Sequence, residues 1–443
     1  MRFRARNKPL LCRKGATIST RPIASLRLAV ALSLIYSGLS LGADPDPNIN
    51  RDPRPDSDQK AVDSAAPDGE VRRWRTALAQ VREGQYHAAL SRLEPLVSQY
   101  PDNTRFRLEL ARTLFWVGQQ HRAEYHFDLA LSDKTLSDAD VSVANQYLDA
   151  IDRRSDWSSD FSFAIAPQTN PGQRTSSETV EIAGRRFTIN SRSRESSGTG
   201  FSIDAGSRWA PPITELVKGR FEVDASHEAY PNDAFNDSQI SVAGGFDFTI
   251  NASNEIGLSL TAEKRWAATE PFSQGRGMEI RSLHHIDRNT VSFANLELID
   301  LEYDSLDKRD GVKKRLALGG NHTFNPRFVG NGSVFITDKD AADDSRAYHE
   351  FGLQVGGRYA VSGGFIPGVQ AWVIDREYEA AQRFFPEART DERWGVSATL
   401  THRSLSWQGF APELSVTYRE RTSNISLYNY ENAGVSIGVT RSF

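Results

Sequence analysis

Apolar and polar residues alternate through most of the second half of the chain. In the last segment, 434–443, Val435, Ile437 and Val439 share one parity with the terminal Phe443, and small or polar residues mostly occupy the other. Side chains point to opposite faces in turn along a strand, so this segment has one apolar and one polar face. The same pattern predicts fourteen strands, near 157–167, 198–208, 219–229, 238–250, 254–266, 278–287, 290–303, 313–324, 328–338, 348–360, 364–378, 391–402, 406–419 and 432–443.

The polar parity of these strands carries Asp, Glu, Ser, Thr and Gly, which suits a water-filled interior better than the dry inner face of a β-sandwich. Because strands in lipid cannot leave an open edge, we expect a closed barrel over 155–443. Arg441 has the outward parity, so it should lie at the depth of the lipid headgroups. Polar segments of uneven length lie between the predicted strands, among them 168–197, 267–277, 338–347 and 379–389. Their uneven length predicts long loops at one end of the barrel and short turns at the other.

A helical period replaces this alternation over 70–153. Two blocks match at an offset of about 34 residues, the period of a tetratricopeptide repeat. The matching pairs are Gly84 with Gly118, Ala89 with Ala123, and Leu93 with Phe127. We expect the glycines in the turns between paired helices and the alanines where the helices approach closely. A further helix near 138–151 should cap the array, which serves either as a groove for peptides and proteins or as a packing adaptor.

The N-terminus has the form of a secretory signal peptide over 1–43: a long basic region, an apolar run from Leu28 to Leu41, and then Gly42 and Ala43. An uncleaved anchor is the alternative. The segment 44–69 is rich in Asp, Pro, Ser and Asn and predicts a disordered linker. The sequence thus predicts an α + β protein in separate domains, a short α-helical tetratricopeptide array followed by a transmembrane antiparallel β-barrel.

The composition of the chain excludes some classes of function. The net charge of −4 offers no basic excess for phosphates, so we expect no nucleic-acid partner. Charged residues make up 25% and mean hydropathy is −0.50, values typical of soluble proteins that a barrel also shows, since only alternate strand residues need be apolar. The single cysteine, Cys12, lies in the signal region, so the mature chain has no disulfide.

Candidate chemistry is sparse. His284 and His285 are adjacent on a predicted strand, so they point to opposite faces and cannot jointly bind one metal. The acidic loop around Asp338, Asp340 and Asp343 admits a calcium site, although a solvated loop is the simpler interpretation. The sequence therefore predicts no enzyme, with no catalytic residue, cofactor or metal.

Several stretches resemble the surface lipoprotein assembly modulator (Slam) family over roughly 70–443. Tyr100–Phe115 resembles the family's second repeat, and Arg153–Trp157 resembles its entry into the first strand. The most specific match is the closing segment, which comprises Pro412–Tyr418 and then Ser423, Asn424, Leu427, Tyr428, Tyr430 and Phe443. The chain departs from the family at Pro167–Asn170, where an acidic, Asn-rich turn is more usual.

This resemblance implies a bacterial outer-membrane translocator whose repeats, in the periplasm, recruit client proteins. The clients would be surface lipoproteins or soluble secreted proteins, and the barrel would contact outer-membrane lipid. Biogenesis would need the barrel-assembly machinery and periplasmic chaperones. A porin or a polysaccharide exporter with a periplasmic repeat adaptor is the alternative, and a soluble periplasmic β-sandwich is a more distant one.

Overall fold

The computed structural model describes residues 68–441 except 132, 134, 155, 288 and 406–409. The predicted signal peptide, most of the predicted linker, and Phe443 lie outside this part. The first helix begins at Asp68, inside the segment 44–69 that the composition assigned to the linker. Within the described part, no helix is both long and apolar enough to cross a bilayer.

Among the described residues, five helices precede the strands: α1 Asp68–Arg82, α2 Tyr86–Gln99, α3 Thr104–Val117, α4 Gln120–Leu131 and α5 Asp138–Arg154. Gly84 lies in the middle of the connection between α1 and α2 with φ 74°, and Gly118 caps α3 with φ 85°, left-handed values that glycine adopts without strain. The amide of Phe106 donates to the Asn103 side chain, which caps the start of α3. The two predicted turn glycines therefore occupy equivalent places in two successive helix pairs.

A single apolar core joins the five helices. Ala89, Leu93, Ala123 and Phe127, the four remaining repeat positions, are completely buried in it. Tyr147 of α5 stacks on Phe127 at 5.2 Å between ring centroids, so α5 closes the core of the second helix pair. Whether these pairs are tetratricopeptide repeats stays a prediction.

Seventeen strands follow: β1 Trp157–Gln168, β2 Thr179–Ile182, β3 Arg185–Thr188, β4 Gly198–Trp209, β5 Pro212–Thr214, β6 Val217–Ala229, β7 Asp237–Asn251, β8 Asn254–Ala267, β9 Glu270–His285, β10 Thr290–Tyr303, β11 Gly311–Asn325, β12 Phe328–Lys339, β13 Tyr348–Tyr359, β14 Phe365–Ala381, β15 Ala388–His402, β16 Ala411–Ser423 and β17 Tyr430–Thr440. Fourteen of them (β1, β4 and β6–β17) form one antiparallel ring, which closes where β17 pairs with β1. The predicted closed barrel of fourteen strands is confirmed.

The barrel turns its apolar residues outward. Leu260 in the middle of β8 has 71% of its surface exposed, whereas its neighbours along the strand, Ser259 and Thr261, point to the interior face. Such an outer surface is stable only in lipid. The interior face carries the polar parity, as the alternation predicted.

One predicted loop is wrong. The segment 267–277 belongs almost entirely to β8 and β9, which are joined by the two residues Ala268 and Thr269 alone. Both have positive φ, 52° and 68°, a geometry typical of a tight hairpin turn whose twist matches that of its strands. Polar composition suggested a loop here, but the ladder continues to the rim and keeps Pro271 within it.

The barrel has two distinct ends. We call the end next to the helices the helix-side rim; its connections are 210–216, 252–253, 286–289, 326–327, 360–364 and 403–410. We call the opposite end the loop-side rim; its connections are 169–197, 230–236, 268–269, 304–310, 340–347, 382–387 and 424–429.

Candidate functional site

The barrel interior is divided by charge into two halves of seven strands each. We call β1, β4 and β6–β10 the acidic half, because their interior face carries eleven acidic and five basic residues: Asp160, Asp204, Glu222, Asp224, Glu228, Asp237, Asp247, Glu255, Glu263, Glu279 and Glu297, with Arg208, Lys218, Arg220, Arg265 and Arg281. We call β11–β17 the basic half, because theirs carries nine basic and three acidic residues: Lys313, Arg315, Lys339, Arg358, Arg376, Arg389, Arg393, Arg419 and Arg421, with Glu350, Asp391 and Glu413.

Within the acidic half, carboxylates hold most of the few basic side chains. Asp247 accepts a hydrogen bond from Arg208 at 2.5 Å and another from Arg220 at 3.3 Å, and Arg281 lies 3.6 Å away. Arg220 also pairs with Glu222 at 2.7 Å. The arginines of this half are thereby matched by its own acids, and the excess of carboxylates gives the wall its negative sign.

Within the basic half, the carboxylates are in turn surrounded by guanidinium groups. Glu350 accepts hydrogen bonds from Arg376 at 2.7 Å and Arg393 at 3.1 Å. Asp391 takes a bidentate pair from Arg389 at 2.6 and 2.8 Å. Bidentate guanidinium–carboxylate pairs are rigid, so these groups are fixed in the wall rather than free to swing across the interior.

Tyrosine rings contact several arginines of this half. The guanidinium of Arg389 lies 3.4 Å from the ring centroid of Tyr428, and that of Arg376 lies 3.9 Å from Tyr348. Arg421 stacks over Tyr430 at 4.5 Å. A cation is attracted to the negative face of an aromatic ring, which lets several arginines share one wall with few acids.

The family-motif residues meet at the loop-side rim of the basic half. Ser423 donates to Asp391 at 2.8 Å, and Asn424 donates to the Ala388 carbonyl at 2.9 Å. Tyr428 donates to Gln382 at 2.8 Å, and Tyr430 is the buried partner of the Arg421 guanidinium. The structure thus brings Ser423, Asn424, Tyr428 and Tyr430 into one network; Phe443 lies outside the described residues.

Sequence reasoning missed the charged partners in this network. Arg389 and Asp391 are two residues apart on one strand, so their side chains share the interior face. That spacing can be read from the sequence. The sequence does not indicate that Tyr428, in the connection 424–429, covers the Arg389 guanidinium.

The long connection 169–197 contacts neighbouring loops at the same rim. It contains the β2–β3 hairpin, where the amide of Ala183 donates to the Phe384 carbonyl at 3.2 Å. Thr175 donates from its hydroxyl to the Ser426 carbonyl at 2.9 Å. The connection therefore spans from its own strands to the loops 382–387 and 424–429.

The closing seam between β1 and β17 has the shortest ladder in the ring. Its register covers Ser162–Ile165 and then Gln168 only. At the loop side, side-chain amides take over: Asn432 donates to Gln168 at 2.7 Å and accepts from the backbone amide of Asn170 at 3.0 Å. Asn170, in the turn where the chain departs from the family pattern, is thus 99% buried in a structural contact.

The helical unit is docked against the helix-side rim. The Ser98 carbonyl at the end of α2 accepts from the amides of Gly363 and Gly364 at 2.8 and 3.2 Å. Asp102 forms an ion pair with Arg327 in the β11–β12 connection. Arg403, after β15, stacks over Tyr125 of α4 at 4.4 Å.

This junction holds several buried basic groups. Arg107 is 2% exposed and donates to the Pro101 carbonyl at 2.7 Å, and burial with neighbouring arginines lowers its pKa to about 10. His126 lies 3.3 Å from the Arg107 guanidinium. Burial, and then the charge of Arg107, holds the pKa of His126 well below its usual range.

Arg441 follows the last strand, which ends at Thr440, so this outward-parity residue lies at the end of the barrel. Its guanidinium stacks over Phe410 at 5.4 Å, and its amide donates to the Phe161 carbonyl at 3.1 Å. Burial lowers its pKa to about 10. The side chain is therefore placed at the rim, away from the middle of the apolar belt.

The sequence candidates for metal chemistry are engaged in other contacts. His284 pairs with the Asn254 side chain at 2.8 Å. In the acidic loop, Asp343 accepts from the Ser345 amide and from Lys308, and these hydrogen bonds lower its pKa to about 2. Among the residues that the structure describes, no three His, Cys, Asp or Glu side chains are grouped to hold a metal.

One family model and several known proteins are similar to this chain. The family model described as "Surface lipoprotein assembly modifier" matches residues 157–443. The surface lipoprotein assembly modifier 1 of Neisseria meningitidis is 23% identical over 375 residues, covering 83% of this chain and 74% of the relative. The hemophilin secretion modulator of Acinetobacter baumannii is 22% identical over 390 residues, covering 82% and 76%. The outer membrane channel DcaP of Acinetobacter baumannii aligns with TM-score 0.38 and 8% identity, over 65% of this chain and 98% of that chain.

Proposed function

We propose that this chain, which belongs to the surface lipoprotein assembly modifier family, is an outer-membrane translocator that moves specific client proteins to the cell surface. The family match over 157–443 carries the proposal, because it covers every strand of the barrel. Two relatives are named for surface lipoprotein assembly and for the secretion of hemophilin. The clients we propose here are accordingly surface lipoproteins or soluble secreted proteins.

The barrel supplies the passage. Its ring leaves no open edge to lipid, and its interior face is polar and charged, so a polypeptide can replace water along the wall. The periplasm offers no nucleotide, so the driving force is client binding on one side and client folding on the other. The function we propose for the barrel is transport rather than catalysis.

The helical unit recruits the client in this proposal. We place it in the periplasm as a short tetratricopeptide unit over 70–153, delivered by the signal peptide 1–43 and followed by the barrel over 155–443. Two equivalent glycine turns and the docking of α2 and α4 at the helix-side rim support this role. The loop-side rim then faces outside, and biogenesis uses periplasmic chaperones and the barrel-assembly machinery.

Deletion of the gene tests the proposal. Surface-labelled and secreted proteins are compared between the deletion strain, the complemented strain and a strain with a version lacking 70–153. We expect one or two specific proteins to be lost from the surface or the medium and to return only with the full chain. The shortened barrel must still migrate as a folded, heat-modifiable band, which separates failed recruitment from failed assembly.

Two outcomes count against the proposal. If exported proteins are unchanged while uptake of small solutes or export of polysaccharide falls, the chain is a porin or a polysaccharide exporter. If the version lacking 70–153 restores export fully, the helices are a packing adaptor and do not recruit clients.

A further inference from the structure

We propose that the divided interior selects a passenger polypeptide of mixed charge, whose basic side chains face the acidic half while its acidic side chains face the basic half. This inference rests on the proposed function and adds the chemical class of the segment that the barrel accepts. It follows from the distribution of charged side chains on the interior face of the barrel. Neither half is neutral, and the two signs stand on opposite walls.

An extended polypeptide has the right geometry for such an interior. Its successive side chains point to opposite sides, so alternate residues can face the two walls at the same time. A segment in which acidic and basic residues alternate can therefore satisfy both walls without bending. A uniformly charged polymer is attracted by one half and repelled by the other.

The field between the walls is built in and does not have to form around the passenger. In the acidic half, Arg208 and Arg220 fix Asp247 in place. The wall as a whole carries more carboxylates than basic groups. In the basic half, Glu350 and Asp391 are held by arginines, and tyrosine rings cover the guanidinium groups of Arg389 and Arg421. Charges held in place beforehand interact with a ligand at little cost in reorganisation.

The same arrangement opposes one alternative cargo. An acidic polysaccharide carries a single sign of charge along its length, so the acidic half repels it wherever it touches that wall. At about 0.15 M ionic strength charges act over about 8 Å, so each wall acts on the part of a chain that lies close to it.

Peptide binding to the purified full-length protein in detergent tests this selection. The probes are fluorescent unstructured peptides of equal length, one with alternating Lys and Glu, one of Glu only, one of Lys only and one of Gly and Ser. We expect the mixed peptide to bind at least about ten-fold more tightly than each of the others, as read from fluorescence anisotropy. The difference should vanish at about 1 M salt, where the Debye length is about 3 Å.

Charge inversion separates the field from particular contacts. Four substitutions, Asp204→Lys, Asp224→Lys, Glu263→Lys and Glu279→Lys, invert the sign of the acidic half and should abolish the preference for the mixed peptide. Adding Arg315→Glu, Arg358→Glu, Arg419→Glu and Arg421→Glu inverts the basic half too, and should restore the preference because the two halves again carry opposite signs. Glu420→Lys is the matched control, since this residue follows Arg419 but has the outward parity.

The outcomes decide the question. The proposal is overturned if all peptides bind alike, if none binds, if a uniformly charged peptide binds most tightly, or if the double inversion fails to restore selection in a barrel that still shows heat-modifiable migration. None of these results touches the translocator itself, because the deletion experiment measures export of natural clients independently.

Discussion

The helical unit and the barrel place their apolar residues in opposite directions. In the helical unit Leu93 and Phe127 are completely buried, as in any domain that folds in water. In the barrel the apolar parity is outside, with Leu260 71% and Ile437 66% exposed. The comparison teaches that a hydrophobic period indicates only that a face is apolar; the surrounding solvent decides whether that face becomes a core or a surface.

Charged residues show the reverse arrangement. The barrel keeps Asp247 and Glu350 almost wholly inside its wall, paired with arginines. The helical unit keeps most of its charges at the surface, and its buried Arg107 lies where the unit meets the barrel. The two regions therefore respond to opposite substitutions, and four experiments test that contrast.

The largest effect is expected from removing a core ring of the helical unit. Phe127→Ala leaves a cavity beside Tyr147 and should cost about 3–5 kcal/mol. We expect the helices to become protease-sensitive while the barrel still migrates as a folded, heat-modifiable band. Loss of the barrel band as well would contradict the independence of the two cores.

A charge on the outer face of the barrel should have the next largest effect. Leu260→Arg places a cation in the middle of the lipid-facing belt and should cost about 2–4 kcal/mol. The neighbouring Thr261→Arg points into the acidic half and should be tolerated far better. Urea titration of the barrel in lipid compares the two variants. Equal destabilisation would show that the assignment of faces is wrong.

Acid should weaken the helical unit through His126. Its pKa in the folded state is depressed, so the unfolded chain binds the proton first, and stability falls by up to about 1.4 kcal/mol per pH unit below about 6.5. Thermal unfolding of His126→Gln against the parent chain isolates the histidine; identical pH profiles for the two would refute its role.

The smallest effect is expected at the junction. The partly exposed pair Asp102–Arg327 contributes about 0.2–1 kcal/mol, so Asp102→Asn should raise protease cleavage between helices and barrel only slightly. Asp102→Arg should raise it further by repulsion. Adding Arg327→Asp restores the pair with its signs exchanged and should return cleavage to the parent rate. Failure of this rescue would show that the pair does not hold the two regions together.

Much of the fold was predictable because its local rules are strong. Strict alternation indicated all fourteen barrel strands, and the offset between Gly84 and Gly118 indicated two helix–turn–helix pairs. The start of β9 was missed, since a two-residue turn with Pro271 just after it resembles a loop in composition. The motif residues at the loop-side rim were identified only by family resemblance, which does not indicate what they contact.

The sequence by itself determined which residues share a face, because parity and helical period are properties of the backbone that act over a few residues. Only the tertiary structure decided what each face meets. Pairing of neighbouring hairpins let Tyr428 cover Arg389, and ring closure placed the first and last strands side by side, so that Asn432 came to bond Asn170. Closure also set seven mainly acidic strands opposite seven mainly basic ones, a division that exists only once the first and last strands have paired.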